Sequence, residues 1–330
     1  MKIKDIAKLA GVSPATVSRV MNNSGYVIDE KRKAVEKVIA EVGYTPNEIA
    51  KSLKNRKTNI IGVIVPKIST ETASRVVDGI TEVAKAHDCQ ILIANTDLQI
   101  EEEIKSLKFL SNRLVDGIIM MATEVTEQHY KVAKGISVPI VMVGQQVDGY
   151  PSIIHDDYHA AKAMMKHILA KGHQEIGFIG VSPHDIAVGI KRKQAYLDAL
   201  SEAKLEVDDQ LIAIGNFSIE SGYEQMEKIL AHKQPTAVMA VTDQLAIGAI
   251  HCIRDHRLTV PEDISITGMG DGKLSKYFIP PLTTVRLHHK TTGIMAAKNL
   301  FTLIENGYVK NEMVVDFSLR IRESVDEKEK

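Results

Sequence analysis

From residue 60 onward the chain alternates short apolar runs with longer amphipathic stretches. The runs cover 60–66, 90–94, 117–122 and 139–143, then 176–181, 211–214, 237–241 and 264–269. Runs this short, separated by helical periodicity, mark strands buried in a parallel sheet with helices on its faces. They fall into two groups on either side of 152–157, which predicts two similar α/β lobes. Ligands of such sheets bind beyond the carboxyl ends of the strands, so the cleft between the lobes is the expected small-molecule site.

The first 43 residues read instead as three short helices. A helix over 4–10 turns at Gly11 and carries Ile6, Leu9 and Ala10 at core spacing. The next has Ser13 as N-cap and Pro14 in its first position; Val17, Val20 and Met21 share one face, leaving Ala15, Thr16 and Arg19 off it. A third, over 29–42, presents Val35, Val38, Ile39 and Val42 and stops at Gly43. Thr45-Pro46-Asn47-Glu48 then combines a cap, a first-turn proline and a capping-box glutamate. The helix it opens can run only to Leu53 before the polar linker 54–59, and so short a helix needs a partner to be stable.

Charge sharpens the division. Within an overall charge of -1, residues 1–58 hold 12 Lys+Arg against 6 Asp+Glu, and the remainder holds 29 against 36. A polyanion is the expected partner of the basic segment. Cys89 and Cys252 are too few for a disulfide scaffold, and no Cys/His cluster has zinc spacing. No apolar leader and no run of about 20 apolar residues is found, so a cytoplasmic chain without membrane partner, metal or cofactor is expected.

The segment Ile3-Lys4-Asp5-Ile6-Ala7-Lys8-Leu9-Ala10-Gly11-Val12-Ser13-Pro14-Ala15-Thr16-Val17-Ser18-Arg19-Val20-Met21-Asn22 closely resembles the helix-turn-helix of the LacI/GalR family of bacterial transcription regulators. Gly43-Tyr44-Thr45-Pro46-Asn47-Glu48-Ile49-Ala50-Lys51-Ser52-Leu53 resembles that family's hinge. The likeness continues through Val115-Asp116-Gly117-Ile118-Ile119, Lys171-Gly172-His173, Thr242-Asp243-Gln244-Leu245-Ala246 and Ile279-Pro280-Pro281-Leu282-Thr283-Thr284. It implies an all-α helix-turn-helix with hinge helix at 1–58, then a two-lobed periplasmic-binding-protein-like α/β domain with parallel sheets at 59–330. Its lobes would comprise 59–157 with 289–318, and 158–288 with 319–330.

The function implied is that of a homodimeric repressor of a carbohydrate-utilisation operon, released from pseudo-palindromic double-stranded operator DNA by a sugar or sugar phosphate. The alternative within the family is a catabolite-control-type regulator activated by a corepressor or a phosphoprotein. By the same resemblance Pro14, Ala15 and Arg19 face bases, and Arg19 can donate twice to guanine O6 and N7. Ser13, Thr16, Ser18, Asn22, Tyr44 and Asn47 match phosphate-contacting positions. Ala50 shares the DNA-facing hinge helix with Leu53, whose side chain would wedge a central base step of the minor groove.

For the effector, Arg192 matches an arginine aimed at a sugar hydroxyl or carboxylate, and Phe217 an aromatic packed on a ligand ring. Gln145, Thr242 and Asp271 follow expected strands at their cleft-facing ends, Lys67 and Ser69 follow the first strand, and Asp243 is expected to cap the next helix. Two segments depart from the family pattern. Ser69-Thr70-Glu71-Thr72-Ala73 replaces an Asn-Pro-Phe-Phe run, and Gly268-Met269-Gly270-Asp271 replaces Gly-Tyr/Phe-Asp-Asp. Lys67, Lys191 and Arg192 suit an anion, and 180–196 resembles trehalose-repressor members that sense a sugar phosphate.

Two other classes are weighed against this reading. A transport-type binding protein would share the lobes but need an export signal and have no use for 1–58. An enzyme would need a catalytic motif, and no Gly-x-Ser-x-Gly elbow, P-loop or strand-borne Gly-x-Gly-x-x-Gly is found; the adjacent His184 and Asp185 read as loop residues. The charged tail 324–330 lacks a leucine heptad, so no tetramerising coiled coil is expected.

Overall fold

The computed structural model describes residues 3–43, 57–112 and 115–328. The chain divides into two compact units, Met1–Thr58 and Asn59–Lys330.

In the first unit, α1 (Ile3–Leu9), α2 (Pro14–Met21) and α3 (Asp29–Val42) pack around Ile6, Ala7, Val17, Val20 and Val35. The Ser13 hydroxyl accepts from the Thr16 N–H at 3.2 Å, and Pro14 sits where a helix has no use for an N–H. Gly43 ends α3 in the left-handed region with φ 58° and donates its N–H to the Ile39 carbonyl. Two expected core positions are corrected. Leu9 is 59% exposed and Val42 37% exposed. The face of α1 that packs is Ile3, Ile6, Ala7 and Ala10, whose i, i+3, i+4, i+7 spacing leaves Leu9 on the flank. Tyr44, Asn47, Ala50 and Leu53 lie outside the described residues.

The second unit holds two six-stranded sheets. One contains β1 (Ile60–Val65), β2 (Gln90–Asn95), β3 (Gly117–Met121), β4 (Ile140–Val143), β5 (Ser152–His155) and β11 (Glu312–Val315), in the order β2-β1-β3-β4-β5-β11. The other contains β6 (Ile176–Val181), β7 (Ile212–Gly215), β8 (Ala237–Ala240), β9 (Ser265–Met269), β10 (Thr283–Leu287) and β12 (Phe317–Arg320), in the order β7-β6-β8-β9-β10-β12. All neighbours are parallel except β10 and β12. All eight expected strands are present, whereas β5, β10, β11 and β12 were not anticipated from the pattern. Three of those are four residues long, and β12 is half-buried throughout, so no apolar run announces them.

The first lobe carries α4 (Glu71–Ala86), α5 (Ile100–Ser111), α6 (Glu127–Ala133) and α12 (His289–Asn306). The second carries α7 (Asp157–Ala170), α8 (Arg192–Glu202), α9 (Ile219–His232), α10 (Asp243–Asp255) and α11 (Lys273–Tyr277). Each lobe has one helix crossing made at paired glycines. A Cβ on Gly79 of α4 would lie 2.1 Å from the Lys290 carbonyl oxygen, and one on Gly293 of α12 would lie 2.0 Å from that of Val76. Gly222 of α9 and Gly248 of α10 meet in the same way, at 2.3 Å from the Leu245 oxygen and 2.0 Å from the Ile219 oxygen. Only hydrogen fits at these contacts, so the helices close backbone to backbone. The chain passes between the lobes at Asp156, His288 and Asp316. Those three single residues form the hinge of the body.

Candidate functional site

In the first unit the surface of α2 is divided by its packing. Val17 and Val20 are buried, while Pro14, Ala15 and Arg19 are exposed. Thr16 and Ser18 are half-buried, and Ser13 and Asn22 exposed. Part of this polar set is engaged locally: Ser13 Oγ lies 2.9 Å from Thr16 Oγ1, and Asn22 Nδ2 donates to the Ser18 carbonyl at 2.9 Å. These bonds stiffen both ends of α2 and hold their polar groups at its surface. Arg19 has no hydrogen-bonding side-chain partner among the described residues, so its planar five-donor fork remains available to an external acceptor.

In the second unit a cavity of about 230 Å³ lies between the carboxyl ends of the two sheets. Lys67, Gln145, Arg192, Phe217 and Thr242 line it. Ser69 and Asp271, expected there, are not among the lining residues. Ser69 is exposed, since the N-cap of α4 is Thr70 and the chain turns Thr70, Glu71 and Thr72 inward instead. Asp271, with φ 51°, turns its carboxylate away from the cleft onto the Arg286 and Arg322 guanidinium groups. Burial would raise its pKa, but the two arginines prevail and hold it below the ordinary value. Lys191 likewise is not part of the lining.

The lining groups are tied to one another. Asp185 caps a π-helical turn, Ile186–Lys191, that delivers Arg192 to the start of α8. Arg192, 5% exposed, donates from Nε at 2.8 Å and from Nη2 at 2.5 Å to one Asp157 oxygen, and from Nη1 to the Val241 carbonyl. The arginine is therefore also a strut joining α7, α8 and the end of β8. Thr242, not Asp243, is the N-cap of α10, accepting from the Leu245 N–H at 3.2 Å. Asp243 accepts from Thr284 and Ser275 hydroxyls and, at 2.7 Å, from the Gly272 N–H. Burial raises its pKa against those three donors.

Across the cleft Glu71 pairs with Arg75 at 2.6 Å and accepts from the Lys273 N–H of the opposite lobe at 2.9 Å. Gln145 donates its amide to the Thr123 carbonyl. At the hinge, His155 and His289 meet edge to face with centroids 5.1 Å apart. Burial, reinforced by Arg192 and His288 and opposed by Asp157, pushes His155 down to about 4. His289 is pushed well down by burial, then by His155, Arg192, Arg75 and His288. Sequence reasoning missed Thr70, Glu71, Arg75, His155, Asp157 and His289 as lining residues. Glu71 lay within a segment noted only for a missing aromatic wall, and the histidines meet only through the fold. Among the described residues no group of three or more His, Cys, Asp or Glu could hold a metal ion, and no helix is long and apolar enough to cross a membrane.

A capped helix presenting an exposed arginine in one unit and an interlobe cleft that combines apolar and polar side chains in the other define a ligand-controlled DNA-binding regulator. Two family models match the chain, bacterial regulatory proteins of the lacI family over residues 2–47 and a periplasmic binding protein-like domain over 165–325. Catabolite control protein A of Priestia megaterium is 34% identical over 97% of both chains. The sucrose operon repressor of Staphylococcus xylosus is 32% identical over 95% of this chain and 97% of its own. The lac repressor dimer bound to operator and the anti-inducer ONPF has the same fold, with a TM-score of 0.87 over 99% of both chains at 26% identity. The chain belongs to the LacI family of bacterial regulatory proteins.

Proposed function

We propose that this chain is a cytoplasmic, non-enzymatic homodimeric repressor of a carbohydrate-utilisation operon, released from a pseudo-palindromic operator by a sugar-class effector in the interlobe cleft. The observation that carries the reading is the union, in one chain, of the solvent-facing Pro14, Ala15 and Arg19 on a capped helix with a cleft lined by polar side chains of both lobes. Arg19 reads a guanine in each half-site, and Ser13, Thr16, Ser18 and Asn22 set register on phosphates. Tyr44, Asn47, Ala50 and Leu53 take the hinge contacts, with Leu53 as the wedge. The relatives named as a sucrose operon repressor and as an operator-bound lac repressor dimer support the sugar, operator and dimer assignments.

Linkage supplies the mechanism: an effector that favours one lobe arrangement lowers DNA affinity when the other arrangement holds the recognition helices in register. The 34% identity to catabolite control protein A supports a second reading, in which a corepressor or phosphoprotein raises operator affinity. Footprinting on the promoters flanking the gene, with and without a panel of sugars and sugar phosphates, tests both. Protection of an inverted repeat that is lost on adding one sugar is the expected result; protection strengthened by ligand selects the second reading. Absence of any protected repeat would refute both.

A further inference from the structure

We propose that His289 receives hydroxyl groups of the effector, which is accordingly an uncharged polyhydroxylated molecule and not a phosphate ester. The inference rests on the effector-cleft reading above and narrows it.

His289 begins α12, lines the cavity and is only 7% exposed, yet among the described residues neither ring nitrogen has a hydrogen-bond partner. Its neighbour His155 is held in one tautomer. Thr292 Oγ1 donates to the His288 carbonyl at 3.2 Å, so at its 3.2 Å contact with His155 Nε2 it must accept, and the His155 proton sits on Nε2. His155 is thereby a fixed neutral ring against which His289 packs edge to face.

The charged groups around His289 are matched by the protein itself. Arg192 is held on Asp157, and Arg75 on Glu71 and the Asp271 carbonyl. Asp243 is held by two hydroxyls and an N–H, and Asp185 by the Val188 N–H. Lys67 is the exposed cation at the rim. A phosphate would have to shed its water while Arg75 and Arg192 remained committed to carboxylates, a desolvation left without compensation. Hydroxyls exchange hydrogen bonds with water and protein one for one. Burial together with His155, Arg192, Arg75 and His288 keeps the His289 ring neutral. A neutral imidazole offers one donor and one acceptor; a hydroxyl uses both, whereas an acceptor-only anion uses the donor alone and leaves the other nitrogen unpaired. Position adds a consequence: His155 precedes the crossing at Asp156 and His289 follows that at His288, so a ligand on this ring sits beside two of the three crossings that join the lobes.

The test is calorimetric titration of the full chain with pairs differing only by phosphate: glucose and glucose 6-phosphate, trehalose and trehalose 6-phosphate. Buffers of different ionisation heat are used at neutral pH. The neutral member of a pair should bind with no net proton uptake. His289→Phe should weaken it about tenfold or more, while His289→Gln, which keeps a donor and an acceptor, should stay within about threefold. Thermal melts of both variants report folding separately. Tighter binding of a phosphate member with uptake of a proton overturns the proposal, as does undiminished binding in folded His289→Phe. Release of operator DNA by a phosphate ester but not its neutral partner would overturn it too, while leaving the effector-regulated reading intact.

Discussion

Arg75, on the first lobe, donates from Nη1 to the backbone carbonyl of Asp271 on the second at 3.0 Å. Together with the bond from the Lys273 N–H to Glu71, this contact latches the two lobes across the cleft. Both side chains are partly exposed, so the latch is a bias and not a lock.

Replacing the latch, as Arg75→Ala with Glu71→Gln, should favour separated lobes. An effector embraced by both lobes would then bind about fivefold more weakly, or ~1 kcal/mol, with little change in melting temperature. Titration calorimetry and the radius of gyration in solution report the two effects, and an unchanged affinity would remove the latch from the allosteric mechanism.

The Arg192–Asp157 pair makes a different prediction. Both side chains are nearly fully buried, so Arg192→Ala strands a carboxylate and should destabilise the body by about 3–5 kcal/mol in urea unfolding. Arg192→Met combined with Asp157→Leu should regain most of that loss. Equal instability of the single and double variants would show that packing, and not the buried charge, is at stake.

Acid should weaken the body through its buried histidines. His155 has a folded value of about 4 against 6.5 when unfolded, so between those values the unfolded chain binds the extra proton. Stability is therefore intact above about pH 6.5 and falls as pH drops toward 4, by about 3 kcal/mol from this residue alone, with His289 acting in the same direction. Asp271, held below its ordinary value, adds a loss only at still lower pH. Denaturation midpoints measured across this range should slope less in His155→Gln than in wild type.

On DNA, Arg19→Ala should cost about 1–3 kcal/mol on the preferred operator and relax specificity at one position per half-site. Competition against random DNA separates this from a general loss of charge, because an equal loss on both would assign Arg19 to phosphate.

Leu53→Ala should reduce operator bending and weaken specific binding, while the salt-dependent nonspecific affinity carried by lysines and arginines holds. Permuted-site gel shifts read the bend; wild-type mobility in the variant would show that Leu53 is no wedge.

What the amino-acid sequence determined by itself was local in origin. The cap at Ser13, the proline at Pro14, the stop at Gly43 and the apolar runs of eight strands act through neighbouring residues, and each stands in the structure where periodicity placed it. Lys67, Gln145, Arg192, Phe217 and Thr242 were legible as lining residues because strand ends and family motifs mark them. The tertiary structure decided everything that depends on long-range pairing. β11 lies beside β5 across more than half the body, and His155 faces His289 only because two lobe crossings run side by side. Asp271 leaves the cleft because Arg286 and Arg322 compete for its carboxylate, and Asp243 is drawn from helix capping to bracing by Gly272, Ser275 and Thr284. A carboxylate goes where its strongest donors are, and those donors come from segments distant in sequence whose adjacency only the fold creates.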